Sequence, residues 1–287
     1  MVVVLRSVDF DDPEIVEFKD RIGSYVEQAE IFGFTYRLYL NEDRLVGIVL
    51  IGKEPFQLFK PVGTPLIRFV VLDYDQSEVV LNQLVDEVLS LAKERDVEYA
   101  YLNIPVEQDK LAEHLEQIGF QELANRYEMS RSLDESIGVS NQLRYEQIER
   151  KDVNQFFEYM KEFMSGSPDV VLSMVIENFK NIPEAALDGW YQGVQAYFVY
   201  YDNEMVGILD LVPQAGFIQN IGVSPAHRGK GFGTEMLRFC LNLFKETGSK
   251  EAGLGVHVDN KRAIHVYEKL GFSISRQIRT MIWWKST

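Results

Sequence analysis

Along its first part the chain alternates short apolar runs with polar breaks that carry turn chemistry. Tyr36–Ile51 reads YRLYLNEDRLVGIVLI, two apolar runs around Asn41-Glu42-Asp43, which predicts a β-hairpin. Leu66–Leu72 reads as another strand. The period then lengthens: Val79, Leu81, Leu84, Val88 and Leu91 recur at helical spacing within Glu78–Lys93, so a long helix is expected there. Tyr99–Ile104 and Arg126–Arg131 are strand-like, and Ser132–Ser140 reads as a linker. The opening MVVVLRSVDFDD has a short apolar run followed by acid. That predicts a strand entering a turn, not a secretory signal.

Beyond the linker, Leu143-Arg144-Tyr145 opens a strand and Asp152 caps a helix through Phe163. Asp169–Lys180 predicts a second helix, and Pro183 with Asp188-Gly189-Trp190-Tyr191 a turn. Tyr197–Leu211, YFVYYDNEMVGILDL, is a second hairpin around Asp202-Asn203-Glu204. An apolar run, Phe217–Val223, ends at Ser224-Pro225, and a helix over Thr234–Thr247 stops at Gly248. A strand at Leu254–Val258, a helix at Lys261–Leu270 and closing strands over Ser273–Lys285 complete the pattern.

The two halves overlay as a weak repeat. Hairpin matches hairpin, and His114-Leu115-Glu116-Gln117-Ile118-Gly119-Phe120 echoes Val266-Tyr267-Glu268-Lys269-Leu270-Gly271-Phe272. The competing account is two unrelated α/β lobes whose strands and helices alternate alike. With 287 residues the expected division is 1–136 and 137–287.

Composition narrows the function. Residues 1–138 hold 13 Lys+Arg against 27 Asp+Glu, a charge of −14, whereas residues 139–287 hold 16 against 17, a charge of −1. A strongly acidic first half repels phosphate backbones, so no nucleic-acid partner is expected. It fits a cationic amine as well as it fits a solvated surface. No apolar run approaches the ~20 residues of a bilayer span, so no membrane partner is expected. The one cysteine, Cys240, sits among Leu237, Leu241 and Phe244 on one helical face, the place of a small buried hydrophobe. A cytoplasmic location is the expectation. His114, His227 and His265 have no metal-ligand spacing with each other or with Cys240, and no metal is expected.

The chemistry concentrates in FIQNIGVSPAHRGKGFGTEM, Phe217–Met236. Gly229, Gly231 and Gly233 allow a tight turn and close backbone approach, and the following helix start aims unpaired amides at the same point. This is an anion nest suited to a diphosphate. It lacks the G-x-x-x-x-G-K-[ST] of nucleotide hydrolases, and no Asp lies near Arg228 and Lys230 to hold magnesium.

R-G-K-G-F-G, with Arg228, Gly231 and Gly233 in register, followed by Asn260, Ala263, Tyr267, Gly271 and Phe272, resembles the GNAT superfamily of acyl-CoA-dependent N-acetyltransferases. The resemblance is strong over roughly Leu143–Trp284 and faint before it. It implies an α/β fold with a mixed sheet: two GNAT-like lobes, each a mostly antiparallel twisted sheet flanked by helices. It implies acetyl-CoA as co-substrate, bound by Ile221, Gly222 and Val223 at the strand end. Further contacts come from the loop Arg228, Gly229, Lys230, Gly231, Phe232, Gly233 and Thr234, and from Asn260. Tyr267 would protonate the departing thiolate, and a core-packing role is the alternative. The acceptor implied is a primary amine of a small molecule or peptide, with Ser165–Gly193 walling its site or packing against the first lobe. The tandem layout is similar to that of the mycothiol synthase group.

The first lobe is degenerate where this chemistry sits. It has Leu72-Asp73-Tyr74-Asp75-Gln76-Ser77-Glu78 in place of the glycine loop, Gln108 in place of Asn260 and Leu115 in place of Tyr267. The general base stays open among Asp210, His257 and a water chain, since Gly255 stands where some relatives carry glutamate. A non-catalytic acyl-CoA sensor or scaffold therefore stands beside the N-acetyltransferase.

Overall fold

A computed structural model describes residues 5–55, 59–134, 137–138, 142–178 and 182–286. Residues 1–4 of the expected first strand, 135–136 and 139–140 of the expected linker, and the Lys180 end of the expected helix lie outside these. The chain forms two compact units. Unit 1 comprises Met1–Asn125 with Ile278–Thr287, and unit 2 comprises Arg126–Gln277.

In unit 1, β1 (Arg6–Asp9) leads through α1 (Lys19–Phe32) to the hairpin of β2 (Thr35–Asn41) and β3 (Arg44–Lys53). Asn41 pairs with Arg44 across a two-residue turn in which Glu42 takes φ 55°. β4 (Pro65–Val71), α2 (Glu78–Glu94), β5 (Tyr99–Pro105) and α3 (Asp109–Gln117) follow. The Ser77 hydroxyl caps α2 by accepting from the Val80 amide at 3.4 Å. The buried stripe of α2 is Val80, Leu81, Leu84, Val85, Val88, Leu89, Leu91 and Ala92; Val79, expected on it, is 59% exposed. The stripe is wider than the expected one, and Val79 falls on its solvent side.

In unit 2, β6 (Gln121–Ser132) enters at Arg126, followed by β7 (Arg144–Gln147) and α4 (Val153–Phe163). Next come α5 (Val170–Asn178) and α6 (Glu184–Gly193). The expected turn at Asp188–Tyr191 lies inside α6, because Trp190 must reach Phe157 (ring centroids 4.8 Å apart) and helix geometry carries it there. β8 (Gln195–Tyr201) and β9 (Glu204–Val212) form the second hairpin, with Asp202 and Asn203 both left-handed. That matches the mirror-image turn favoured by sheet twist. β10 (Phe217–Val223), α7 (Phe232–Glu246), β11 (Glu251–His257) and α8 (Lys261–Lys269) lead to β12 (Ser273–Trp284).

Each unit holds a mostly antiparallel sheet. Unit 1 pairs β1-β2-β3-β4-β5-β12 and unit 2 pairs β6-β11-β10-β9-β8-β7. In each, one neighbouring pair is parallel: β4 with β5, and β10 with β11. The units differ from the expected 1–136 and 137–287 because the two halves exchange their last strands. Arg126–Ser132 of β6 pairs with β11, and Ile278–Trp284 of β12 pairs with β5. Alternation predicts that a strand exists, not which strand it pairs with.

The two units differ at the open end of their parallel pairs. β10 and β11 are paired only at Phe217–Gly253 and Ile218–Leu254, and β4 and β5 only as far as Arg68–Tyr101. In unit 1 the space beyond is taken by Tyr74, whose hydroxyl donates to the Asn103 carbonyl at 3.3 Å. At the α2 start, Asp73 accepts from the Asp75 amide at 3.1 Å and from Gln76, and pairs with Arg44 at 2.6 Å. A carboxylate thus fills the position an anion would need. It titrates below the ordinary aspartate range, these partners outweighing the burial that opposes them.

Candidate active site

In unit 2 the space beyond Ile218 is open. A register shift against β9 between Ile218 and Asn220 bends β10, and its remaining residues leave β11. The result is a cavity of about 730 Å³. It is walled by the end of β10, the glycine loop with the start of α7, the start of α8, and the Phe163–Pro168 segment after α4. That volume suits an extended cofactor.

The loop side is built for an anion. Gly229 and Gly231 take φ +83° and +90°, and a Cβ at either meets no atom within 4 Å, so the approach is open. Gly231 is the N-cap of α7, so the helix begins two residues before the expected Thr234. The first internal bond runs from the Glu235 amide to the Gly231 carbonyl at 3.2 Å. The amides of Phe232, Gly233 and Thr234 are therefore first-turn donors without helical partners. Lys261 and Arg262 add positive charge from the start of α8, and Asp259 subtracts from it.

Ile221, Val223, Arg228, Gly229, Gly231, Phe232, Gly233, Thr234, Asn260 and Tyr267 all line this one cavity. Gly222 does not. It faces α4, where a Cβ would come within 3.1 Å of Phe163 Cβ, so its smallness lets α4 lie close. Lys230 is exposed and lies off the described lining. Arg228 lines the cavity but spends its guanidinium on backbone. It donates to Phe163 O at 3.0 Å, Ser165 O at 3.2 Å and Val223 O at 3.3 Å. A cation is thereby set against the carbonyl end of α4, which fixes the opposite wall. Asn260 caps α8, its Oδ1 accepting from the Ala263 amide at 3.2 Å, so its Nδ2 is the group left to donate to a ligand.

Tyr267 is 8% exposed and packs against Phe272, with no hydrogen-bond partner for its hydroxyl among the described residues. Burial pushes its phenol up to about 12, so the ring keeps its proton at every ordinary pH. Neither named base candidate lines the cavity. His257 is used in the turn after β11, where its Nδ1 accepts from the Asp259 amide at 3.2 Å. Asp210 is 0% exposed on β9. Burial pushes its carboxyl up to about 7 against the opposing pull of a hydrogen bond from Asn220. Among the described residues no group of three His, Cys, Asp or Glu is placed to hold a metal ion, and no helix is long and apolar enough to cross a membrane.

Phe163, Met164, His227, Lys261 and Arg262 of the lining escaped the sequence reading, whereas Ser165–Pro168 open the stretch expected to wall the acceptor site.

Residues 158–272 match the Acetyltransferase (GNAT) family. Mycothiol acetyltransferase of Corynebacterium glutamicum (strain R) is 31% identical over 97 residues, 33% of this chain and 33% of that protein. The uncharacterized N-acetyltransferase YobR of Bacillus subtilis is 34% identical over 82 residues, 28% and 33% of the two chains. The chain thus spans about a third of the length of the curated relatives it matches. Among solved structures, a GCN5-related N-acetyltransferase from Sphaerobacter thermophilus aligns with TM-score 0.65 at 14% identity, covering 98% of this chain and 95% of that one. A tandem GNAT protein from the clavulanic acid biosynthesis pathway aligns with TM-score 0.62 at 14% identity, covering 99% of both. At that identity the likeness speaks for the fold. Fold and family match agree: residues 158–272 match the GNAT acetyltransferase family, and the chain as a whole shares the fold of the GNAT structures it aligns with.

Proposed function

We propose that unit 2 transfers an acetyl group from acetyl-CoA to a primary amine of a small molecule or peptide, both substrates being bound together. The observation that carries this is the meeting of the first-turn amides of α7 and the unpartnered phenol of Tyr267 in one cavity. The open cradle at Gly229 and Gly231 fits a diphosphate ester, and the unpaired edge of β10 fits an extended amide-bearing arm. When bound, acetyl-CoA supplies the acyl thioester. The chain's own part is to hold it, to exclude water with the Phe163–Pro168 wall, and to keep a proton on Tyr267 for the leaving sulfur. Holding both substrates in one cleft accounts for much of the barrier reduction, up to ~7–11 kcal/mol in well-aligned intramolecular reactions. The reading draws on no metal ion and assigns unit 1 no cofactor. A reduced, buried Cys240 is in keeping with action in the cytoplasm.

One observation favours a second reading, an acyl-CoA sensor: Asp210 and His257 both lie off the described cavity lining. Free CoA release measured with a thiol reagent across primary amines separates the two. Amine-dependent release that disappears in Gly231→Val, whose side chain would block the approach and strain φ +90°, supports the transferase. Tight acetyl-CoA binding by calorimetry without release with any amine supports the sensor.

A further inference from the structure

Among the described residues, Asp210 is the one fully buried carboxylate for which the fold has no evident use. It lies in mid-β9 between Ala196 of β8 and Asn220 of β10. Its neighbours Leu209 and Leu211 pack with the α7 side of the sheet, and Ile208 packs with α4–α6. Asp210 therefore faces α4–α6, as Gly222 does. Its Oδ2 accepts from Asn220 Nδ2 at 3.1 Å, and its Oδ1 is buried with no partner. A leucine there would leave no polar atom stranded in an apolar layer, and burying a carboxylate so poorly satisfied is strongly unfavourable. Among the described residues, the sole hydrogen-bonding consequence of Asp210 is the orientation of Asn220.

That orientation has a direction. With Nδ2 held by Asp210, the carbonyl Oδ1 of Asn220 is turned away from β9. Asn220 is half-buried and, like Asp210, lies off the described cavity lining, in the stretch of β10 that has left β11 and next to the cavity-lining Ile221. It is one pleat, ~7 Å, from Gly222 and hence from the Phe163–Met164 wall. The α4–α6 side of the sheet, which Asn220 faces, carries partly buried Met164, Leu172 and Trp190. A fixed acceptor in an apolar setting recognises an N–H on an apolar body.

We propose that Asn220, held in place by Asp210, is the contact for the acceptor amine: Asn220 Oδ1 accepts a hydrogen bond from the N–H of a primary amine carried on an apolar body. Asn220 thereby orients the nitrogen lone pair, and Asp210 is a positioning residue. The proposal rests on the acetyl-transfer reading for its meaning but not for its test.

Two readouts keep the two apart. The first is kcat/KM for 2-phenylethylamine and hexylamine, with spermidine as the polycationic comparison, alongside acetyl-CoA affinity by calorimetry. Asn220→Leu and Asp210→Leu should each lower kcat/KM for the apolar amines by about tenfold, the worth of one aligned hydrogen bond, with acetyl-CoA affinity unchanged. The double variant should be no worse than Asn220→Leu, and Asp210→Asn, which keeps an oxygen where Asn220 donates, should restore most of the loss. The second readout needs neither turnover nor a variant that folds well. In protein labelled with 15N-asparagine and loaded with CoA, the same amines should shift the Asn220 side-chain amide resonance. Amine-dependent shifts without turnover sustain this proposal and sink the transferase. Turnover with additive losses, with equal loss of acetyl-CoA affinity, or with none overturns this proposal and leaves the transferase standing. Neither shift nor turnover with any amine overturns it as well.

Discussion

Replacing Asp210 by asparagine should change how the stability of unit 2 responds to pH. The folded carboxyl titrates at about 7 against an ordinary value of 3.8, a difference of about three units caused by burial. At 1.36 kcal/mol per unit, the differential is about 4 kcal/mol. The folded value is the higher one, so between those two pH values the native chain holds a proton that the unfolded chain has released. This contribution is therefore fully present below about pH 4 and is lost as pH rises towards 7. Asp210→Asn preserves volume and the acceptor for Asn220 but removes the charge. It also buries an NH2 where Oδ1 had no partner, a penalty of about 1–3 kcal/mol that does not vary with pH. The robust quantity is thus the change in the stability difference between pH 4 and pH 8, expected at about 4 kcal/mol in favour of the variant. Cys240 offers the assay. It is the single cysteine, fully buried in unit 2, and burial raises its thiol well above the ordinary value, so it is protected while unit 2 is folded. Urea titrations read by brief labelling with 4,4′-dithiodipyridine, which reacts from acid to alkaline pH, report unit 2 alone. A stability difference that stays constant to within ~1 kcal/mol from pH 4 to pH 8 would show that Asp210 is ionised at its ordinary pKa, and the argument would fall.

Tyr267→Phe removes one hydroxyl from a phenol that keeps its proton up to about pH 12. Single-turnover acetyl transfer should slow by ~10²-fold, with acetyl-CoA affinity retained and no fall of the wild-type rate at pH 9–10 attributable to this group. An unchanged single-turnover rate would leave the ring as packing against Phe272. Calorimetric titration should give one acetyl-CoA per chain, since Asp73 and Tyr74 occupy the corresponding space in unit 1. A stoichiometry of two would refute that account.

The parts of this structure that were legible in the sequence are those set by nearest neighbours. Asp202-Asn203 reads as a turn because both residues tolerate the left-handed region, and both adopt it. The glycine loop reads as an anion cradle because only glycine sits there without strain, and Gly229 and Gly231 do. What escaped depends on partners distant in sequence. Arg228 looked like a phosphate ligand because its charge is visible in the motif, whereas the carbonyls of Phe163 and Ser165 that engage it are not. Asn260 and Ala263 read as two motif positions, and the bond that caps α8 joins them. Asp210 read as a candidate base, and its burial between β8 and β10 with one oxygen unpartnered depends on strands its own neighbours do not reveal. Val79 shows a phase error: the helix was correctly expected, but its stripe is centred on Leu84 and Val88 and includes Val80.

The exchange of last strands bears on the order in which the molecule can be made. β5 receives its neighbour β12 from roughly 180 positions further along the chain, through pairs such as Ile282 with Tyr101. At ~5–20 residues per second a nascent chain waits ~10–40 s between emergence of the two strands. Throughout that interval the edge of β5, with Leu102 and Ile104 on it, is an unpaired template of the kind that recruits other chains. The charge of −14 on residues 1–138 is then more than a property of the finished surface. It lets half-made chains on one message repel each other until residues 278–284 arrive to cover the edge.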